Sequence, residues 1–242
     1  VLFSVAVWAA APGGERLEFA VPLVASITAD GALAEWGDGG FAVEVMPDPA
    51  MRLAPAEDLR PSVRIGWTSE GLAVAFAIVD DRLDEESDEA RSHLGDSVEI
   101  YVAEAVGARN FYHLVLSPGV AEGQPALRRR FTDRRSDKAM DLTVEAAAAR
   151  TPTGYIVEAL LPWSNLGIAP EEGATLGLQL YVNDRDGEAG TFQAAWHPQA
   201  RTIDDPSRMH AVRLSRKREV PAQRITAAGR YDGLGRTVVE LR

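Results

Sequence analysis

Cysteine is absent from all 242 residues, which excludes disulfides, cysteine–zinc sites, thiol nucleophiles and covalently attached c-type haem. That absence leaves the compartment open. Positive charge is scarce: 25 Lys and Arg stand against 36 Asp and Glu, for a formal net charge of -11. A nucleic-acid backbone or an anionic bilayer would be repelled at long range, so neither is expected as a partner, whereas neutral ligands and cations stay open. No apolar run has the length of a membrane helix, so no membrane insertion is expected. Also missing are a Gly-x-Ser-x-Gly elbow, a His-Glu-x-x-His helix and a P-loop, and the reading is therefore of a protein that is not an enzyme.

What is present is a sequence of turn-bounded strands. The central stretch is Gly95-Asp96-Ser97-Val98-Glu99-Ile100-Tyr101-Val102-Ala103. Gly and Asp favour a turn, after which Val98, Ile100 and Val102 fall on one face and Glu99 and Tyr101 on the other. A carboxylate beside an aromatic ring suits a sugar, whose C–H groups stack on the ring while its hydroxyls bond to charge. Open-face Glu and Tyr are also ordinary solvated surface.

In chain order, Val1 to Trp8 is apolar and ends in Ala9-Ala10-Ala11, the small-residue pattern of a signal-peptidase site, with Pro12-Gly13-Gly14 next. Residues 1–14 read as the remnant of an export signal, or else as a buried first strand, and the export reading implies a secreted or extracytoplasmic protein. Arg16 to Ile27 reads as extended, and Leu33 and Trp36 at i and i+3 mark one helical turn dropping both side chains inward. Four prolines between residues 46 and 61 mark a loop. Val63, Ile65 and Trp67 alternate, Thr68-Ser69-Glu70-Gly71 turns, and Leu72 to Val79 is apolar throughout. A strand apolar on both faces needs a second layer, which favours a sandwich over an open sheet. Asp141 to Arg150 has the alanines of a helix, yet Thr151-Pro152-Thr153-Gly154 and the strand-like Tyr155 to Leu160 make it half of a second hairpin. Leu161-Pro162-Trp163-Ser164-Asn165-Leu166-Gly167 is a short helical turn. Leu176, Leu178, Leu180 and Val182 point inward, while Gln179, Tyr181 and Asn183 point outward. The arginines at 128–130 and 134–135 read as a solvated hairpin. The fold expected is all-β: an antiparallel two-sheet sandwich, jelly-roll-like, over residues 15–215, with 216–242 an extension or the start of a following segment.

Six fragments occur in a fixed order: Ile27 to Trp36 around Asp30-Gly31, Arg64-Ile65-Gly66-Trp67 with Gly71-Leu72, Val79-Asp80-Asp81, Gly95 to Ile100, Gly154 to Ala159 with Leu161-Pro162-Trp163, and Val182-Asn183-Asp184. In order and spacing they resemble the family 9 carbohydrate-binding modules from about Ile27 to Leu214. The resemblance implies a non-catalytic sandwich that binds carbohydrate, is linked to or associated with a glycoside hydrolase, and carries structural calcium. In sugar-binding members two tryptophans clamp a terminal sugar. The corresponding positions here are His93 and Ile203, so the clamp is absent. By resemblance Glu99 is the ligand-binding acid, His113 a basic sugar contact and Tyr181 a replacement for a polar contact. Asn183, Tyr112 and Trp196 complete the candidate ligand set, Tyr181 with Trp196 offering a stacking face if their strands lie side by side. Asp80, Asp81 and Asp84 are the candidate calcium ligands, five further acids following Asp81 before Arg91. Two other readings stay open: a haem or redox sandwich using Met209-His210 or Met140, and a module that keeps the fold without sugar binding.

Overall fold

A computed structural model describes residues 18–133, 138–139, 144–187, 190–198, 202–217, 228–231 and 237–240. The export-signal reading of residues 1–14, Met140 and the arginines at 134–135 lie outside them.

Two sheets face each other. The first has eight strands in the order β1 (Glu18–Pro22), β13 (His210–Ser215), β11 (Thr175–Arg185), β5 (Ser97–Ala103), β6 (Phe111–Ser117), β7 (Arg128–Asp133) and β8 (Lys138–Ala139), with β12 (Thr191–Ala195) also paired to β11. The second has five, in the order β2 (Phe41–Val43), β3 (Leu59–Trp67), β4 (Gly71–Asp80), β10 (Gly154–Pro162) and β9 (Glu145–Thr151). A separate hairpin joins β14 (Ala228–Tyr231) and β15 (Thr237–Glu240). The two-sheet sandwich expected from the sequence is the fold of this chain, with one departure: β1 and β13 run parallel. After β1 the chain crosses between layers, Leu23 N–H donating to Ser215 in the first sheet (2.7 Å) and Val24 N–H to Trp67 in the second (2.9 Å).

Alternation decides which side chains meet between the sheets. Val98, Ile100 and Val102 of β5, Leu178, Leu180 and Val182 of β11, and Leu72, Val74, Phe76 and Ile78 of β4 share one core. At about 1.5–3 kcal/mol for each fully buried aliphatic or Phe side chain, this layer is the main source of stability. The other face of β4 is covered too. Ala73 and Ala75 pack under Trp36 and Leu160, with Leu33 partly buried beside them, so the helical turn Ala34–Trp36 forms the lid that the doubly apolar strand required. Glu158 anchors that lid, accepting from Trp36 Nε1 (2.8 Å) and Gly31 N–H (2.9 Å). Pairing with β10 overrides the helix propensity of the alanines in β9. The short helix α1 (Trp163–Leu166) ends at Gly167, whose φ of 65° is left-handed and favours glycine.

In the described part of the basic block β7 and β8 pair antiparallel and Arg129 is exposed, but Arg128 is turned inward. Arg128 donates to Ser117 Oγ (2.7 Å) and lies 3.7 Å from buried Glu85, while Arg129 and Arg130 donate to the carbonyls of Val144 and Ala90. Glu85 itself accepts the N–H groups of Gly119, Val120 and Ala121, which ties the loop between β6 and β7 to the acid-rich loop after β4.

Candidate functional site

On the outer face of the first sheet, strand register puts Tyr181 opposite Glu99, Asn183 opposite Ser97 and also opposite Gln193, and Tyr101 opposite His113. Four polar side chains converge on one carboxylate. His113 Nε2 lies 2.5 Å from Glu99 Oε2, Tyr101 Oη donates to the same oxygen (3.1 Å), and Asn183 Nδ2 (2.8 Å) and Gln193 Nε2 (3.4 Å) donate to Oε1. Gln193 also donates to Asn183 Oδ1 at 2.7 Å. The rings of Tyr101 and His113 stack with centroids 4.0 Å apart. Burial alone would raise the Glu99 pKa; the hydrogen bond and charge of His113, helped by Asn183, outweigh it and hold the carboxyl below its ordinary value.

The sequence expectation of an open face fails here, because Glu99, Tyr101 and Tyr181 are all buried. Tyr101 and Tyr181 pack with Phe111 and Met209, and Val106, Ala108 and Ile203 close over them. Tyr181 Oη is held by Thr202, 2.8 Å from its hydroxyl and donating its N–H at 3.1 Å. The stacking face of Tyr181 and Trp196 does not form. Trp196 belongs to the main core and leans on Phe19, Phe41 and His210. Tyr112 alternates onto the face opposite His113 and packs against the same core. Of the expected ligand residues, the fold thus unites Glu99, His113 and Asn183, with Tyr181 beside them. Gln193 was missed, since its neighbours depend on which strand pairs with β11.

Beside the network opens a recess of about 250 Å³ lined by His93, Leu94, Asn183, Asp184, Thr191, Phe192 and Gln193. His93 and Leu94 are exposed at the end of the 3₁₀ turn Glu89–Leu94, which Asp88 caps by accepting from Ala90 N–H. His93 thus stands at the rim, near enough for its charge to help lower the Glu99 pKa.

A second polar cluster plugs one end of the sandwich. Asp80 ends β4, Asp96 precedes β5 and Asp184 lies near the end of β11; all three are buried, with one oxygen from each within 4.8 Å of the others. Gly95 allows this crowding, because a Cβ there would collide with the backbone of Asp84 to Glu86. Burial pushes Asp80 up to about 6, Asp96 to about 7 and Asp184 to about 8. Asp80's charge adds to the upward shift of both Asp96 and Asp184. Partners are few: Asp80 Oδ1 accepts Arg82 N–H (2.8 Å), Asp96 accepts the N–H groups of Arg185 and Asp84, and Asp80 Oδ2 and Tyr155 Oη are buried with no hydrogen-bond partner. Such an all-oxygen set with an orphaned carboxylate oxygen fits a hard divalent cation. Asp81 and Asp84 lie outside the cluster. Asp81 is exposed, and Asp84 is committed to Arg185 (2.9 Å) and Gly187 N–H (3.1 Å).

The chain is thus a two-sheet β sandwich with a buried polar network on the outer side of its first sheet and a recess beside it. The family follows from comparison: the chain belongs to the carbohydrate family 9 binding domain-like family, whose sequence model matches residues 30–217. Among solved structures it is similar to a carbohydrate-binding module of family 9 from Caldicellulosiruptor kristjanssonii in complex with cellotriose, with a TM-score of 0.62 and 18% identity over 94% of this chain and 100% of that one. A glucose complex of a family 9 module from the same organism matches with a TM-score of 0.62 and 18% identity, over 85% and 99%. At this identity the likeness shows the fold. Comparison with curated proteins gave no match.

Proposed function

We propose that this chain is a non-catalytic carbohydrate-binding module of an exported protein, acting beside a polysaccharide-degrading enzyme, and that a sugar docks in the recess between His93 and Gln193. The observation that carries this reading is the recess itself, lined by Asn183 and Gln193, the two amides of the Glu99 network. Glu99 and His113 act from below. They touch no solvent-facing ligand directly; they fix the amides of Asn183 and Gln193 so that hydrogen-bonding groups are oriented before a sugar arrives. His93 supplies the ring surface for sugar C–H groups.

The recess is smaller than the roughly 300–1,000 Å³ of drug-sized sites. It suits one sugar unit at a glycan end, with one ring face left wet, so the affinity expected is weak, on the order of 0.1–1 mM. Calorimetric titration should begin with glucose and cellotriose, the sugars bound by the similar modules, and extend to a glycan panel. Binding should weaken at least tenfold in Gln193→Ala and in His93→Ala. Binding that neither change affects would place the site elsewhere, and no binding to any glycan would leave a module that retains the fold alone.

Calcium is the structural partner in this reading, held by Asp80, Asp96 and Asp184. It would neutralise the crowded carboxylates and join the second sheet, through β4, to the first, through β5 and β11. The haem alternative has no support in the geometry of its candidate ligands. His210 faces the main core beside Trp196, while Met209 packs with Tyr101 and Tyr181 on the other side of the sheet.

A further inference from the structure

The two amides that line the recess have no hydrogen left to give. Asn183 Nδ2 donates to Glu99 Oε1 (2.8 Å) and to Ser97 Oγ (3.1 Å), and Gln193 Nε2 donates to Glu99 Oε1 (3.4 Å) and to Asn183 Oδ1 (2.7 Å). Those four bonds use all four amide hydrogens. Neither amide can be turned round. Glu99, kept ionised by its lowered pKa, can only accept, and Ser97 has spent its hydroxyl hydrogen on the carbonyl of Gly95 (2.9 Å). Tyr101 likewise gives its hydroxyl hydrogen to Glu99. What Asn183 and Gln193 hold ready for a ligand is therefore oxygen: Gln193 Oε1 and the second lone pair of Asn183 Oδ1.

We propose that the recess selects a sugar carrying a free ammonium group, an unacetylated amino sugar at a glycan end, over its neutral counterparts. The proposal rests on the sugar-docking reading above and narrows its ligand class. A sugar hydroxyl brings one hydrogen and two lone pairs, so acceptor-only amides match it by half; an ammonium group brings three hydrogens and no lone pair. Bonds from a charged donor are roughly twice as strong as neutral ones. Charge agrees with the hydrogen count. Among the described lining residues there is no Lys or Arg, Asp184 brings a carboxyl group, and Glu99 lies directly behind both amides with Oε1 facing them. The whole chain carries a formal charge of -11, which draws a cation in and repels a uronic acid. Thr191 and His93, on the exposed rim, can donate or accept and so serve the remaining hydroxyls. Acetylation forfeits the match, because it removes the charge and adds a carbonyl that needs a donor the two amides lack.

The test is calorimetric titration of the whole chain at pH 7 with glucose, glucosamine and N-acetylglucosamine, sugars that differ in the group on a single carbon. Glucosamine is expected to bind at least about tenfold more tightly than glucose, N-acetylglucosamine no more tightly than glucose, and the glucosamine advantage should shrink in added salt. Thr191→Lys, a change at an exposed rim position, should lower the ratio of glucosamine to glucose affinity at least about tenfold. Hydrogen exchange at the side-chain amides of Asn183 and Gln193, read by NMR in the unaltered chain, should be slow, a readout that needs neither variant nor ligand. Fast exchange there would overturn the donor count on which the proposal stands. Equal binding of glucose and glucosamine, or binding confined to neutral glycans, would overturn the proposal and leave the sugar-docking reading standing. No binding of these sugars or of the glycan panel would overturn both. An advantage shared by N-acetylglucosamine would remove charge as its cause, and one undiminished in Thr191→Lys would assign it to the overall charge of the chain; either result overturns the proposal.

Discussion

Two buried acidic centres in this molecule answer the same electrostatic problem in opposite ways. At Glu99 one carboxylate is removed from water and given four donors, from His113, Tyr101, Asn183 and Gln193, and its pKa falls. At the sandwich end three carboxylates are removed from water and given chiefly one another, and their pKa values rise to between about 6 and about 8. The first centre is complete as the chain folds; the second is balanced only by protons or by added cations. A charge left without a partner at such depth costs several kcal/mol, so the contrast is large enough to measure.

The largest effect should come from breaking the self-sufficient centre. His113→Ala leaves Glu99 buried without its nearest partner and should cost about 3–5 kcal/mol in denaturant unfolding; a loss below about 1 kcal/mol would mean that water reaches Glu99 and that the contrast is overstated. Glu158→Ala sharpens the comparison at a third buried acid, where the loss of one acceptor strands Trp36 Nε1 and Gly31 N–H. A destabilisation of about 1–3 kcal/mol is expected, independent of calcium. Asp184→Asn should act in the opposite direction in chelator at pH 8, stabilising by about 1–2 kcal/mol after allowance for solvent screening, because it removes a charge that burial disfavours. With calcium present the same change should destabilise. The smallest effect on stability is expected for Gln193→Ala, about 0.5–1 kcal/mol for one network bond, even though its effect on sugar binding should be the largest of the four.

How much of this was legible in the sequence differs between the two centres. The sandwich followed from alternation and from the doubly apolar β4, and Glu99, His113 and Asn183 from the resemblance to family 9 modules. Burial of the Glu99 face was not legible, because it depends on Ile203, distant from β5 in sequence, and on the loop residue Val106 just past its end, both packing against Tyr101 and Tyr181. Trp196 was misplaced for a related reason: its strand joins β11 next to the crossing of β1, so Phe19 and Phe41 claim its ring. The acidic end carried a signal that went unused. Asp80 continues the inward set Leu72, Val74, Phe76 and Ile78, Asp96 begins the set Val98, Ile100 and Val102, and Asp184 extends Leu178, Leu180 and Val182. A carboxylate on an inward position is the mark of a paired or metal-bound group. Local crowding pointed instead to Asp81 and Asp84, which the fold turns to solvent and to Arg185.

The central claim, that one acidic centre is complete and the other is not, is tested most directly by melting the unaltered chain between pH 5 and pH 8.5 in chelator and in calcium. Carboxyl groups whose folded pKa values are raised to about 6, 7 and 8 bind protons that the unfolded chain has already released, so their stabilisation is full below about pH 4 and is lost as pH rises through those values. Glu99, with its lowered pKa, changes only toward the acid end, losing its contribution as pH falls through its folded value. In chelator the melting temperature should therefore fall steadily from pH 5 to pH 8.5, and calcium should abolish the fall and raise the curve most at pH 8.5. A melting temperature that is flat across this range in chelator and indifferent to calcium would contradict the account.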